Sequence, residues 1–413
     1  MNFERIVTAQ GVPLYYLRMP FVKSVAAGVL VKAGTRDEIW SEEAGLAHAL
    51  EHVLFQGTEE FPDSQSFSAY IEDVGGHLNA WTDAEMTLFY NILPTDKIER
   101  GIYSLSQMIR KPLLPERNIQ TEMQNIVQEI RRANDVPQIY LMIKAGEIVY
   151  NGHPLGRSGL GTEEAVNSFK SNNFRNFMQK FYHPANYTFI VVGNFEIGQI
   201  KDLFEKYFPE TVNLPTNQRS QTIANLPQDK LFIISRQVEQ CHLIIGTSTC
   251  SFNNPDKWPL RIFRTMIDGG SSSPLFQEVR EKRGLAYEVQ AECDFWSDLG
   301  SFDVYIGTDP ERKDEAIRVA LSVIQDSKNS TQLLKKAKEM AIGRMALKYE
   351  STNGILQIAA EELGKTGTIL SFEEIIQKIK SVTIEQVEAV VNKYLSEDRL
   401  VTVMLVPELR ARK

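Results

Sequence analysis

Residues 42–57 read Glu-Glu-Ala-Gly-Leu-Ala-His-Ala-Leu-Glu-His-Val-Leu-Phe-Gln-Gly, and this pattern predicts one continuous helix. Ser41 is expected to cap its first turn, and Gly57 is expected to end it. His48 and His52 are four residues apart, so their imidazoles project from the same face of the helix, about one turn from each other. Two imidazoles placed in this way can bind one metal ion.

A carboxylate lies between the two histidines. Glu51 stands three residues after His48 and one before His52, so it can reach a water molecule on the metal without binding the metal itself. The pattern His-x-x-Glu-His is the inverted zinc motif. The competing interpretation is a partly buried helix that carries two histidines and no metal.

Composition limits the class of protein. A chain of 413 residues predicts two or three domains. A net charge of −8 argues against a nucleic-acid partner, because no basic surface is available for phosphates. The three cysteines are few and lack metal-ligand spacing, which is typical of reduced thiols. No apolar run is long enough to span a bilayer, and no signal-peptide core is seen. We therefore expect a cytoplasmic protein without a membrane partner.

The second half of the chain repeats the first. Residues 166–181 match residues 379–394 in their apolar positions at an offset of 213, and residues 188–192 match 401–405. The repeat predicts an α+β fold of two homologous units, each a mostly antiparallel sheet with helices packed on it. The predicted division is 1–208 for the first domain, 209–228 for a proline-containing linker, and 229–413 for the second domain. Only the first domain carries His-x-x-Glu-His.

A third metal ligand is required, because a catalytic zinc takes three protein ligands and keeps one position for water. The helix predicted at 115–134 supplies the best candidates. Glu122 and Glu129 are seven residues apart and therefore share one face of it.

The set His48, Glu51 and His52, followed by Glu129 with Glu122 one heptad earlier, resembles the insulinase and pitrilysin zinc peptidases, the inverzincins. The resemblance covers nearly the whole chain through shorter motifs, which lie at 55–58, 79–82, 153–157, 160–162, 182–186, 269–280 and 283–287. It implies a LuxS/processing-peptidase-like metallohydrolase fold.

The resemblance also implies a set of residue functions. One Zn²⁺ per chain would be bound by His48, His52 and Glu129, while Glu51 would take a proton from the attacking water. Glu122 would orient a ligand from outside the coordination shell. The strand Asn79, Ala80, Trp81 and Thr82 would bind the substrate as an added strand, unless it is an interior strand of the sheet. From the second domain, Tyr287 would polarise the scissile carbonyl and Arg280 would organise the substrate backbone.

The implied activity is a zinc endopeptidase that cleaves unfolded peptides inside a chamber. Because one chain holds only two units, a second chain is expected to complete the chamber, as a homodimer or as a heterodimer with a related chain. The alternatives are a scaffold subunit of a processing-type complex without catalysis, and a module that binds peptides without cutting them.

Overall fold

The computed structural model describes residues 2–219 and 226–408, so the predicted linker at 209–228 lies partly outside the described residues. Strands and helices alternate along both halves of the chain. The strands are β1 Glu4–Val7, β2 Pro13–Arg18, β3 Ser24–Val31, β4 His77–Thr82, β5 Thr87–Pro94, β6 Tyr187–Gly193, β7 Leu231–Arg236, β8 Cys241–Thr249, β9 Ala286–Glu292, β10 Gly300–Thr308 and β11 Val401–Pro407. The helices are α1 Trp40–Glu43, α2 Leu46–Leu54, α3 Ser64–Glu72, α4 Ile98–Arg110, α5 Glu116–Asp135, α6 Pro137–Val149, α7 Glu163–Ser168, α8 Ser171–Phe181, α9 Ile197–Tyr207, α10 Lys257–Ile267, α11 Lys313–Ser327, α12 Thr331–Lys348, α13 Thr352–Thr366, α14 Phe372–Ser381 and α15 Ile384–Tyr394.

The first sheet has six strands in the order β1-β2-β6-β3-β5-β4. Its neighbouring strands are antiparallel except for β2 and β6, which run parallel. Nearly every residue of β3 and β6 is buried, as expected for apolar strands covered on both faces. Helices α4 and α13 both contact β3 and supply this cover.

The second sheet has five strands in the order β7-β11-β8-β10-β9, which repeats the order β2-β6-β3-β5-β4 of the first. The pair β7 and β11 is parallel, like the pair β2 and β6. Helix α8 precedes β6, and helix α15 precedes the equivalent strand β11. The two helices begin 213 residues apart, at Ser171 and Ile384. The predicted α+β fold with two homologous units is confirmed.

The described residues form two compact units that do not follow the halves of the sequence throughout. Helix α6 belongs to the second unit, where it packs on β8 and β11, and α13 belongs to the first, where it packs on β3 and β6. Each unit thus takes one sheet-covering helix from the other half of the chain. The first unit comprises 2–131, 158–219 and 347–372, and the second comprises 132–157, 226–346 and 373–408.

Two expectations from composition can be compared with this structure. Among the helices at 2–219 and 226–408, none is both long enough and apolar enough to cross a bilayer. Cys241, Cys250 and Cys293 are free thiols, and the first two are buried.

Two glycines bring separate loops together at the start of α2. Gly45 and Gly161 have left-handed backbones, with φ of 89° and 76°. A Cβ atom at Gly161 would lie 2.1 Å from the carbonyl oxygen of Ala44, and one at Gly45 would lie 2.6 Å from that of Leu160. The two backbones therefore touch where no side chain fits, and the first residue of α2 is held in place.

We expect Gly161→Ala to destabilise the protein more than Gly75→Ala. Gly75 has nearly the same φ, 75°, but a Cβ atom there would meet nothing within 4 Å. The control variant should lose only about 1 to 2 kcal/mol of folding stability, because an alanine in the left-handed region is strained. Gly161→Ala should lose about 1 to 3 kcal/mol more of folding stability, because its Cβ atom would overlap the backbone of Ala44. Urea unfolding followed by circular dichroism measures the difference, and equal midpoints would contradict the packing argument.

Candidate metal centre

The metal-binding helix is shorter than the sequence predicts. Helix α1 ends at Glu43, Gly45 adopts a left-handed conformation, and α2 then runs from Leu46 to Leu54. Ser41 therefore does not cap this helix and Gly57 does not end it, so both predictions are wrong. At the start of the helix the contact between Gly45 and Gly161 is the physical reason, because a left-handed residue cannot continue a helix. At the other end the helix stops at Leu54, and Phe55 caps it two residues before Gly57.

A buried carboxylate takes the place of the predicted cap. The side chain of Glu38 accepts hydrogen bonds from the backbone N–H groups of Gly45, at 2.9 Å, and Ala47, at 2.8 Å. These are N–H groups that a helix leaves unsatisfied at its start. Burial raises the pKa of Glu38 to about 8, although both N–H donors oppose the shift. Glu38 thus anchors the turn that leads directly into His48.

Three donor groups converge on one point beside α2. One ligand atom from each of His48, His52 and Glu129 lies within 4.8 Å of the others. Nε2 of His48 is 3.8 Å from Oε2 of Glu129, and the two imidazole centroids are 4.7 Å apart. Within residues 2–219 and 226–408, this is the only group of three histidine, cysteine or acidic side chains arranged so closely.

The donor set fits a zinc ion. Two histidines and one glutamate are a common ligand set of catalytic zinc, and imidazole binds a metal in its neutral form. Burial, helped by His52, lowers the pKa of His48 to about 4, so His48 is neutral near pH 7. Its Nδ1 atom is buried and has no hydrogen-bond partner in the described part of the chain.

Glu122 lies one heptad before Glu129 on α5 and faces the second histidine. Its Oε2 atom is 3.6 Å from Nδ1 of His52, and its Oε1 atom accepts hydrogen bonds from Gln56 and Asn125. The carboxylate is therefore held from two sides. The Glu122 carboxylate raises the pKa of His52, and because it lies on the Nδ1 side of the ring, Nε2 is the atom left for a metal.

Glu51 contacts the first sheet through its carboxylate. Its Oε2 atom accepts a hydrogen bond of 2.5 Å from the hydroxyl of Thr82. Burial raises the pKa of Glu51, and the Thr82 hydrogen bond opposes that shift. The carboxylate is thus held at the end of β4, on the helix that also carries both histidines.

The four residues predicted to bind substrate all lie in β4. This strand is the last in the first sheet and pairs only with β5 among the described strands. Asn79 is exposed, while Ala80, Trp81 and Thr82 are partly buried. Among the described strands, β4 is therefore an edge strand and not an interior strand of its sheet.

The second pair of predicted catalytic residues belongs to the second unit. Arg280 lies in a π-helical segment, Phe276–Glu281, with its guanidinium over the ring of Phe276 and 4.0 Å from Glu281. Tyr287 lies near the start of β9 and is 49% exposed. Both residues belong to the second unit, and their part in catalysis stays a prediction.

Three further residues at these sites were not predicted from the sequence. Glu38 precedes the helix by eight residues, and no capping pattern marks it. His242 and Tyr305 form a buried hydrogen bond of 2.8 Å on the sheet that carries Tyr287. The sequence shows only that His242 and Tyr305 lie in apolar strands, and this does not distinguish a functional pair of residues from a pair in the hydrophobic core.

Glu38→Ala is expected to weaken zinc binding and to destabilise the protein by about 1 to 2 kcal/mol, because two N–H groups at the start of α2 lose their acceptor. Glu43→Ala is the matched control, since Glu43 also accepts a backbone hydrogen bond, from Ile39, but at the surface. Thermal unfolding and zinc titration of both variants test this. Equal effects would show that Glu38 does not position the ligands.

Zinc binding should release a proton from His52 and none from His48. His48 has a pKa of about 4 and is therefore neutral near pH 6.5, whereas Glu122 raises the pKa of His52, so His52 keeps its proton to higher pH. Affinity should therefore fall as pH falls through the pKa of His52. Glu122→Gln should lower that pKa, release fewer protons at pH 6.5, and weaken zinc binding about 10- to 100-fold.

Calorimetry in two buffers of different ionisation enthalpy measures this proton release. Comparing wild type with Glu122→Gln at the same pH removes the contribution of water on the metal. Equal proton release by the two proteins would mean that Glu122 does not control the protonation of His52.

Comparison with known proteins identifies the family. Residues 15–163 match the model described as insulinase, peptidase family M16, and residues 168–340 match the model described as the peptidase M16 inactive domain. An uncharacterized zinc protease of Rickettsia felis is 28% identical over 407 residues, which are 96% of this chain and 95% of that protein. The uncharacterized zinc protease YmxG of Bacillus subtilis is 28% identical over 400 residues, 96% of each chain.

Solved structures show the same fold. A protease from Helicobacter pylori superposes with a TM-score of 0.90 at 20% identity, covering 98% of this chain and 99% of that one. A peptidase M16 inactive domain from Pseudomonas fluorescens superposes with a TM-score of 0.89 at 19% identity, covering 99% of this chain and 98% of that one. The predicted resemblance is confirmed by these matches: the chain belongs to the insulinase family, peptidase family M16.

Proposed function

We propose that this protein is a zinc-dependent endopeptidase that cleaves unfolded peptides. The observation that supports this most directly is the convergence of His48, His52 and Glu129 within 4.8 Å, with Glu51 on the same helix. The names of the relatives as zinc proteases agree with the proposal. A protein that only bound peptides would need neither the three ligands nor the additional carboxylate.

His48, His52 and Glu129 would hold the zinc ion, and Glu122 would fix the orientation of His52. When bound, zinc supplies Lewis acidity and lowers the pKa of a water molecule to about 7. Glu51 Oε atoms would take the proton of the attacking water and pass it to the leaving amine. The raised pKa of Glu51 suits both steps, because the group must hold the proton and then release it.

The substrate would bind along β4. The outer edge of this strand can form backbone hydrogen bonds with an extended peptide, which gives affinity with little selectivity for side chains. Because Thr82 ends β4 and donates to Glu51, a peptide added at this edge would run past the proposed base. Only a peptide that can extend fits this mode, so unfolded peptides are the proposed substrate class.

Tyr287 and Arg280, from the second half of the chain, are proposed to act on the substrate as well. Tyr287 is 49% exposed, so its hydroxyl can donate to the carbonyl of a substrate, and Arg280 would organise the substrate backbone.

We further propose a cytoplasmic homodimer that encloses the substrate, with a heterodimer as the other possible assembly.

One observation favours a different function. Residues 168–340 match a model described as an inactive domain, and a solved structural neighbour carries the same description. This agrees with the absence of His-x-x-Glu-His from the second half of the sequence. A chain whose first unit also failed to cut would be a peptide-binding or scaffold subunit of a heterodimer.

Glu51→Gln should keep the zinc and lose the activity. Wild type should cut a quenched fluorescent peptide, and a chelator should stop the cleavage. Glu51→Gln should cut the same peptide about 10²- to 10⁴-fold more slowly, because the proton acceptor is gone. Glu60→Gln, an exposed acid on the loop after α2, is the control and should remain active. Metal analysis accompanies each assay.

The outcomes separate the two functions. Activity in Glu51→Gln at the wild-type rate would contradict the proposed role of Glu51. If wild type and variant both bind zinc and neither cuts a peptide, the subunit function replaces the proposed one.

A further inference from the structure

The second unit contains a cavity of about 140 Å³ between α6 and one face of its sheet. Helix α6 contributes Met142, Ala145 and Val149, Tyr150 follows directly after it, and the sheet side contributes mainly polar residues. No part of the proposed peptidase chemistry uses it. A volume of roughly 150 Å³ can hold a molecule of the size of benzene, so about five or six heavy atoms fit.

Two carboxylates face each other at the floor of the cavity. Asp303 on β10 lies directly opposite Glu292 on β9 in the antiparallel register, and both side chains line the cavity. Residues in such pairs have Cβ atoms about 4.5 to 5.5 Å apart, and like charges there are destabilising. The arrangement is costly unless a proton or a cation lies between them.

The strand on the other side of Asp303 makes room for its carboxylate. Gly246 of β8 is the partner of Asp303 in the register, and a Cβ atom there would lie 2.0 Å from Oδ1 of Asp303. Any other residue at this position would push the carboxylate away. Burial raises the pKa of Asp303 to about 7. Its polar neighbours include the Ser301 hydroxyl and the carboxylates of Asp294 and Glu292.

A buried hydroxyl in the cavity wall also lacks a partner. Tyr150 is only 6% exposed and lines the cavity, and its Oη atom has no hydrogen-bond partner of normal geometry, although Ser301 is close. Buried hydroxyls are nearly always hydrogen-bonded, so an unpaired one indicates a missing group. Asp303, Glu292 and Tyr150 together offer three acceptors for one ligand with three donors.

The remaining walls are aromatic and apolar. Trp296 and Tyr150 meet edge to face, with ring centroids 6.3 Å apart, and Tyr305 and Ile244 continue the same surface. Such walls suit an apolar stem, and aromatic faces attract a cation. A divalent metal suits them less, because among the described residues the carboxylates of Glu292, Asp294 and Asp303 do not bring three ligand atoms together as His48, His52 and Glu129 do.

We propose that this cavity binds a primary alkylammonium group, with its nitrogen at Asp303, Glu292 and Tyr150 and its alkyl chain against α6. An ammonium ion has three N–H donors and one positive charge, which match the three acceptors and the paired carboxylates. The group comes from one of two sources, a free alkylamine or the lysine side chain of a peptide. The proposal does not depend on peptidase activity.

The test is a calorimetric titration of the full chain with n-butylammonium chloride, beside the neutral isostere n-butanol. One butylammonium should bind per chain at least tenfold more tightly than butanol. Asp303→Asn should weaken binding at least tenfold, and Tyr150→Phe several-fold. Asp314→Asn removes an equal charge from the surface of the same unit and should leave binding unchanged, since its side chain is 78% exposed.

Each outcome is decisive. Equal binding of butylammonium and butanol, no binding of butylammonium at all, or full binding by Asp303→Asn would overturn the proposal. The first comparison needs no variant, so it stands even if Asp303→Asn does not fold. Gly246→Ala provides a second variant that keeps both charges but displaces the Asp303 carboxylate, and it should also weaken binding.

A second titration distinguishes the sources. Nα-acetyl-lysine methylamide carries the same ammonium on a peptide backbone. Tighter binding than that of butylammonium would indicate a lysine side chain, whereas exclusion of the peptide derivative would indicate a free alkylamine.

Discussion

The two hydrogen bonds from Gly45 and Ala47 to the Glu38 carboxylate are the interaction on which the metal centre depends. They hold the first turn of α2, and both histidines and Glu51 project from the turns that follow. The contact between Gly45 and Gly161 sets the angle of the same turn. Ligand atoms must be placed within a few tenths of an ångström, so a helix that begins in the wrong place would separate His48 from Glu129 even if it remained helical.

Four glutamates lie around the two histidines, and their surroundings divide the chemistry among them. Glu38 is buried against backbone N–H groups, Glu51 is partly buried beside a hydroxyl, and Glu122 is held by two amide side chains. Glu129 is the most exposed, with 44% of its side chain accessible, and keeps its oxygens available to a metal. Identical side chains thus take different parts because burial and hydrogen bonding differ at each position.

The duplicated fold has kept its strand order but not its chemistry. Both sheets contain one parallel pair followed by three antiparallel strands, and each is covered by a helix from the other half of the sequence. The first unit concentrates imidazole and carboxylate donors beside α2. The second concentrates carboxylates and tyrosines between α6 and its sheet, and this difference makes distinct ligands reasonable for the two units.

The sequence by itself determined the α+β class, the internal repeat and the candidates for the metal site, because these depend on local periodicity and on fixed spacings. His48 and His52 must share a helix face at a separation of four, and Glu122 and Glu129 must do so at seven. Only the tertiary structure decided where α2 begins, that β4 is an edge strand, and that α6 and α13 cover the sheets they do. Gly161 meets Ala44 across more than a hundred residues, while Glu38 and Asp303 meet partners that are nearer in the chain but lie in a different element or strand. No periodic pattern encodes such contacts, because they depend on how separate segments turn and pack together.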